Sequence, residues 1–111
     1  MAQSAGDADE TGADLELLER LSDADAPTRL SSLTGFVIEQ AAAILRVDPA
    51  GVDPGRSLLD YGLDSLMGLE LRTRIDKALR VRVPTKQLWA HPDPESLAGC
   101  LAEKLGGSAD S

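Results

Sequence analysis

The sequence has very few side chains that carry sulfur or imidazole chemistry. Among its 111 residues there is one cysteine, Cys100, and one histidine, His91. A lone cysteine excludes an internal disulfide, and neither residue has neighbours at the spacing of a zinc site. Only His91 could act as an imidazole base for a nucleophile elsewhere in the chain. The sequence therefore argues against a disulfide scaffold, a metal centre and a self-sufficient hydrolase.

Aromatic residues and long apolar runs are also scarce. Aromatic residues make up 3% of the chain and hydrophobic residues 42%, so the core must be aliphatic. This composition favours helices over a β-sandwich, in which β-branched and aromatic residues are enriched. No apolar stretch approaches the roughly 20 residues that cross a bilayer, and the N-terminus lacks the basic and apolar regions of a secretory signal. We expect one small, soluble, cytoplasmic domain that is a monomer when isolated.

Basic residues are outnumbered, and the excess acid is concentrated at the start of the chain. Residues 1–26 contribute −7 to the net charge of −8, and the other 85 residues contribute −1. An acidic chain does not bind nucleic acid by neutralising phosphates, and an anionic membrane surface repels it. We therefore expect neither nucleic acid nor membrane among its partners.

Residues 1–26 are predicted to be an acidic, flexible leader or linker. The composition of residues 1–12 cannot bury enough apolar surface to stay ordered. Near residues 14–21, Leu15 and Leu18 could share one side of a short helix. Because isolated helices of this length are marginal in water, the segment is either a fluctuating linker or a helix docked on another surface. Residues 22–26 are interpreted as a spacer.

Residues 27–105 carry the periodicity of a small all-α domain, and residues 106–111 are predicted to be a flexible tail. Four helices are expected: from Pro27 to about residue 46–48, from Ser65 to about Leu79, a short one within 85–90, and one that starts at Pro94 and is stopped by Gly106 and Gly107. A long loop separates the first two. The fold class is a four-helix bundle with three longer helices and one short third helix.

Apolar residues at helical spacing mark the faces expected to be buried. In the four helices they are Leu30, Leu33, Val37, Ala41, Ile44, Leu45, Gly68, Leu71, Ile75, Ala78, Leu79, Leu97, Cys100, Leu101 and Leu105. In the long loop, the residues that can pin the chain to this core are Val52, Leu58, Leu59, Tyr61 and Leu63.

One serine lies at the predicted start of the second helix, in the stretch Asp60–Met67. Asp64 suits the N-cap position, which makes Ser65 the first helical residue. A Gly-x-Ser-x-Gly nucleophile elbow is absent, because Leu63 and Met67 occupy the glycine positions. An exposed hydroxyl with apolar neighbours can be reached by another protein. Ser65 is therefore predicted to be a modification site, although an ordinary helix-start serine would have the same local pattern.

The face of this helix opposite the buried stripe should be open to partners. It carries Leu66, Met67, Glu70, Arg74 and Lys77. Exposed apolar residues beside Ser65 would be unusual in a protein without a partner. The three charged residues also have a simpler interpretation. They are solvated side chains that contribute little stability, whether or not they influence the choice of partner.

Two stretches resemble one known family at the correct separation. The first is Leu59–Leu66 followed by Leu69–Arg72, and the second runs from Val83 to Pro94. Both resemble the acyl carrier protein domains of type I polyketide synthases, over about residues 28–105. That family has the pattern Asp-Ser-Leu followed by Glu-Leu-Arg, and later His-Pro before its last helix.

The resemblance implies that Ser65 receives a 4′-phosphopantetheine arm from coenzyme A through a phosphopantetheinyl transferase that uses magnesium. The thiol of the arm would hold acyl or polyketide intermediates as thioesters, which acyltransferase, ketosynthase and other synthase domains load and use. The chain would then be a non-catalytic carrier in a multienzyme synthase. Asp64 and Leu66 belong to the attachment site in this interpretation. The residues assigned to partner binding are Leu63, Met67, Glu70, Arg74 and Lys77.

The sequence also departs from related carriers. The second helix mixes Arg72, Arg74 and Lys77 with acids, whereas carriers of dissociated fatty-acid systems have an acidic second helix. Leu71 occupies the position of the tryptophan found in many carriers dedicated to β-branching. Two alternatives remain open: a peptidyl or aryl carrier of a nonribosomal synthetase, and an unmodified helical interaction module that binds through Leu15 and Leu18.

Overall fold

The computed structural model describes residues 15–106, and all regular elements in this range are helical. The five α-helices are α1 (Leu15–Asp23), α2 (Ala26–Leu45), α3 (Ser65–Leu79), α4 (Thr85–Ala90) and α5 (Pro94–Gly106). Two 3₁₀ turns, Pro49–Gly51 and Leu58–Tyr61, lie in the long loop between α2 and α3. The all-α prediction is confirmed. The flexible stretches predicted for residues 1–14 and 107–111 lie outside the described residues.

Local capping explains why the helices begin and end where they do. Before α2, α3 and α5, an aspartate accepts a hydrogen bond from the backbone N–H three residues further on, at 2.9 to 3.1 Å. These aspartates are Asp25, Asp64 and Asp93. Arg46 and Arg80 end α2 and α3 in the left-handed conformation, with φ of 62° and 58°. A left-handed residue satisfies a carbonyl at the helix end and stops further propagation.

The core is aliphatic and lies between α2, α3 and α5, with α2 packed most extensively on α5. Its largest fully buried side chains are Leu33, Val37, Leu58, Leu71, Ile75, Leu79, Val83, Leu88, Leu97 and Leu101. Burying a leucine or isoleucine contributes about 1.5–3 kcal/mol to stability. Because these buried side chains come from all four predicted helices and from the loops between them, they form one continuous apolar core.

Helix α1 decides between the two alternatives that the sequence left open for the leader. Residues 15–23 are helical and packed against α2, which corresponds to the docked helix and not to the fluctuating linker. The buried leucines are Leu17 and Leu21, whereas Leu15 is 52% exposed. Arg29 of α2 donates hydrogen bonds from its guanidinium to the carbonyls of Leu21 and Ala24, at 3.0 and 2.9 Å. Packing and this cap stabilise a helix too short to persist alone.

Three burial predictions also differ from the structure. Leu30 and Leu59, both predicted to be buried, are 37% and 48% exposed. Phe36, which lies outside the predicted stripe of α2, is buried and lines one cavity together with Leu17 of α1. The periodicity of α2 alone could not reveal that a second helix covers this side.

Among residues 15–106, no helix has the length and apolar character needed to span a membrane.

Candidate functional site

Ser65 is the first residue of α3, and it is exposed. No other described residue forms a hydrogen bond with its hydroxyl. The neighbouring carboxylate of Asp64 accepts the backbone N–H of Met67 at 2.9 Å, which confirms Asp64 as the N-cap. Because Asp64 is engaged with the backbone and no imidazole is placed beside Ser65 in the described hydrogen bonds, the site presents a hydroxyl rather than an activated nucleophile.

The chain is held firmly just before Ser65. Gly62 ends the second 3₁₀ turn with φ of +100°, a conformation that favours glycine. The next residue, Leu63, is only 5% exposed, and its N–H donates to the carbonyl of Leu58 at 3.2 Å. A buried anchor two residues before the serine fixes the position at which α3 begins.

The loop that leads to Ser65 is tied to the rest of the domain by polar contacts. The hydroxyl of Tyr61 accepts the N–H of Asp53 at 2.9 Å. Arg56 lies over the Tyr61 ring, 5.8 Å from its centroid, and pairs with Asp60 at 3.3 Å. The Leu58 N–H donates to the carbonyl of Pro92, just before α5, at 3.0 Å. These bonds tie the loop to the residues just before α5.

A tight contact joins α3 to α4 one turn beyond the serine. Gly68 is buried, and a Cβ placed on it would lie 2.7 Å from Cη2 and Cζ2 of Trp89. Only a glycine leaves room for the indole at this position. Trp89 itself is half-buried and packs against the core.

Only some of the residues predicted for the partner face of α3 are exposed. Leu66 is 76% exposed, and Glu70, Arg74 and Lys77 are exposed. Met67 is half-buried and packs against the core. Leu63 was assigned both to partner binding and to the core. Its side chain is buried in the core, so the core assignment is confirmed and Leu63 does not lie on this face.

Two exposed leucines were not assigned to the site by sequence reasoning. Leu69 is 43% exposed on α3, and Leu59 is 48% exposed in the second 3₁₀ turn. By helical spacing, Leu69 lies at the margin between the buried and outer faces of α3, so periodicity does not settle its exposure. Leu59 was missed because the orientation of a residue in a 3₁₀ turn within a loop cannot be read from helical periodicity.

The start of α3 suits an anionic group on Ser65. The backbone N–H groups of Ser65 and Leu66 have no acceptor within residues 15–106, as expected for the first turn of a helix. The helix dipole adds partial positive charge at this end. A phosphodiester on the Ser65 oxygen would therefore meet free donors and a favourable potential, and the exposed hydroxyl leaves it room.

A helical bundle that presents an exposed serine at the first residue of a helix, after a long anchored loop, has the architecture of a carrier domain. Residues 35–101 match the family described as the phosphopantetheine attachment site, and the chain belongs to this family. Among solved structures, it is similar to an A1-type acyl carrier domain from module 5 of MLSA1, with a TM-score of 0.74, 29% identity, and coverage of 82% of this chain and 92% of that one. A carrier domain from the CurA module of Lyngbya majuscula aligns with a TM-score of 0.68 and 25% identity, over 72% of this chain and 81% of that one.

The curated relatives are polyketide synthases. Polyketide synthase GfsA from Streptomyces halstedii is 41% identical over 90 residues, which is 80% of this chain and 1% of the relative. The spectinabilin polyketide synthase system protein NorA′ from Streptomyces orinoci is 36% identical over 107 residues, which is 96% of this chain and 3% of the relative. The chain thus spans only a few per cent of the length of these relatives.

These findings identify an acyl carrier domain of the type I polyketide synthase class, as the sequence motifs predicted. Such a domain carries acyl intermediates on a covalent 4′-phosphopantetheine arm, whose terminal thiol forms thioesters. Carrier domains of this family are generally non-catalytic, and the polyketide synthase context implies partner synthase domains. The described residues contain no group of three or more histidines, cysteines or carboxylates placed to hold a metal ion.

Proposed function

We propose that the Oγ atom of Ser65 is the attachment point of the arm. The observation that carries this proposal is its placement: an exposed hydroxyl at the first residue of α3, beside an N-cap that satisfies the helix without using the serine. The first-turn amides of Ser65 and Leu66 stabilise the negative phosphodiester. The buried side chain of Leu63 keeps the modified residue from withdrawing into the core.

The proposed attachment is carried out by a separate phosphopantetheinyl transferase. The Ser65 oxygen attacks the phosphorus that bears the pantetheine group of coenzyme A, and a new O–P bond forms. The pyrophosphate P–O bond breaks, 3′,5′-ADP leaves, and a base of the transferase takes the serine proton. Asp64 positions the serine as N-cap and offers its charge to the transferase.

Once modified, the chain is proposed to serve as a non-catalytic carrier within a larger polyketide synthase. An acyltransferase, a ketosynthase and other synthase domains would load and use the tethered acyl group. The exposed residues of α3, namely Leu66, Glu70, Arg74 and Lys77, are proposed to face these domains, and the half-buried Met67 contributes its exposed edge. The much greater length of the curated relatives supports this setting.

Intact-mass measurement tests the attachment site. The chain is incubated with coenzyme A, magnesium and a broad-specificity transferase, and the modified peptide is located by fragmentation. We expect one added arm on Ser65 and none in Ser65→Ala. Ser96→Ala is a matched control, because Ser96 is also an exposed serine in the first turn of a helix. Modification of the Ser65→Ala variant, or none in a folded wild-type chain, would contradict the proposal.

Two substitutions separate the capping role of Asp64 from recognition. Asp64→Ala removes the acceptor for the Met67 N–H and should cost about 0.5–2 kcal/mol of stability. Asp64→Asn retains a good N-cap but loses the charge, so it should keep its stability and still be modified more slowly. If Asp64→Asn is modified at the wild-type rate, the proposed recognition role is wrong and the capping role remains.

A further inference from the structure

Exposed apolar side chains flank Ser65 from two different elements. Leu66 and Leu69 project from α3, and Leu59 projects from the 3₁₀ turn that precedes it. Three of the six exposed large hydrophobic residues in the described range therefore lie within six positions of the serine. Exposed apolar clusters of this kind mark interaction surfaces.

The outward orientation of Leu59 is fixed by the turn that contains it. Its N–H donates to the Ser57 hydroxyl at 3.2 Å, and its carbonyl accepts the Gly62 N–H at 3.1 Å. The preceding residue, Leu58, is only 1% exposed and anchors the turn in the core. The hydrogen-bonded turn thus keeps the side chain of Leu59 exposed to solvent.

Leu59 also lies close to the hydroxyl. The carbonyl of Leu59 is 3.1 Å from the amide nitrogen of Gly62. Gly62 and Ser65 are three residues apart, which corresponds to at most about 11 Å even when extended. A specific interface covers about 800 Å² on each partner, equivalent to a disc of roughly 16 Å radius. An interface of this size centred on the Ser65 hydroxyl is therefore wide enough to include Leu59.

The charges near this surface are mixed and largely paired. Asp60 is paired with Arg56, and Glu70 is paired with Arg74. The carboxylate of Asp64 accepts the N–H of Met67 as the helix cap. A partner that covers Ser65 therefore meets exposed leucines with a rim of mixed charge, and not a uniformly acidic surface.

We infer that Leu59 is a docking residue for the phosphopantetheinyl transferase, which buries it together with Leu66 while it modifies Ser65. The inference rests on the proposed function of Ser65 and adds a contact in the loop to the contacts on α3. Leu59 touches neither the serine oxygen nor coenzyme A, so it contributes to binding of the carrier and not to the chemical step.

Steady-state kinetics of the transferase with the full chain as substrate test this inference. We expect Leu59→Ser to lower kcat/KM about five- to tenfold, mostly through a higher KM, because loss of a docking contact weakens binding without changing the chemistry. Leu66→Ser should act in the same direction. Leu15→Ser is the matched control, since Leu15 is 52% exposed but lies on α1, which packs on α2. Thermal unfolding of each variant reports whether the fold is intact.

The possible outcomes test the docking role of Leu59 separately from the attachment of the arm to Ser65. A wild-type chain that takes up no arm overturns both. If the wild-type chain is modified normally, the attachment proposal stands and the Leu59→Ser variant decides the inference. The inference is overturned if Leu59→Ser has the same kcat/KM as the wild type or as Leu15→Ser. It is also overturned if Leu59→Ser lowers kcat alone and leaves KM unchanged. A Leu59→Met variant that restores the KM lost in Leu59→Ser supports apolar burial at this position.

Discussion

The contact between Gly68 and Trp89 shows how one missing side chain shapes the region next to the serine. Gly68 lies three residues after Ser65 on the side of α3 that meets α4. Glycine costs a helix interior about 1 kcal/mol relative to alanine. The structure explains why a glycine is present despite this cost: the outer ring of the Trp89 indole fills the space that a Cβ would need. Neither the identity of Gly68 nor that of Trp89 revealed this pairing in the sequence.

Gly68→Ala should therefore destabilise the domain although alanine is the better helix former. Overpacking against the Trp89 ring costs about 1–3 kcal/mol, which outweighs the gain of about 1 kcal/mol in helix propensity. Urea unfolding measures the difference. Gly35→Ala in α2 is the control: a Cβ there meets nothing within 4 Å, so this variant should be neutral or more stable. A stabilised Gly68→Ala would show that the indole moves away easily.

Cys100 is predicted to be an unreactive thiol. Burial raises the pKa of Cys100, and the carboxylate of Glu103 acts in the same direction. A higher pKa leaves less thiolate at a given pH, so the folded chain should react with iodoacetamide more slowly than a free thiol at pH 8. Alkylation followed by mass spectrometry checks this, and the rate should rise when urea unfolds the chain. A folded chain that reacts as fast as the unfolded one would contradict the prediction.

At the scale of the elements, the helices with local signals were predicted directly, and the one without them was only one of two alternatives. Ser65 and Pro94 follow aspartate caps, so the starts of α3 and α5 could be read from a few residues. The helicity of α1 depends on packing against α2, which the residues of α1 alone do not reveal. Leu59 was assigned to the core but is 48% exposed, because the 3₁₀ turn that contains it has no apolar period of its own. The site serine was predictable, whereas the surface around it needed the structure.

Helix α1 is predicted to contribute to the stability of the carrier domain and not only to precede it. Leu21 is 2% exposed, so Leu21→Ala should cost about 2–4 kcal/mol through lost burial and the cavity that remains. Leu15→Ala, at an exposed position of the same helix, should change the stability by less than about 0.5 kcal/mol. Urea unfolding of the full chain measures both. If the two variants are equally stable, α1 does not depend on its packing against the bundle.

At the scale of the whole molecule, the long loop belongs to the cooperative unit. Besides the bond from Leu58 to Pro92, the Glu95 N–H donates to the carbonyl of Pro54 at 2.9 Å. These bonds connect the loop before Ser65 with the start of α5, which follows two helices later in the sequence. A domain this small has one core, which gives a free energy of unfolding of about 5–10 kcal/mol. The loop that positions Ser65 is therefore stabilised by the same core as the helices.

Native-state hydrogen exchange tests this coupling. The amides of Leu58, Leu63 and Glu95 have backbone acceptors outside regular helices and should exchange only through large openings, with free energies close to that of global unfolding. The amides of Ser65 and Leu66, which have no acceptor within residues 15–106, should exchange quickly in the same sample. Attachment of the arm should slow these two, because its phosphodiester offers them an acceptor. Fast exchange at Leu58 and Leu63 would mean that the loop opens independently, and the fixed position of the hydroxyl would then need another explanation.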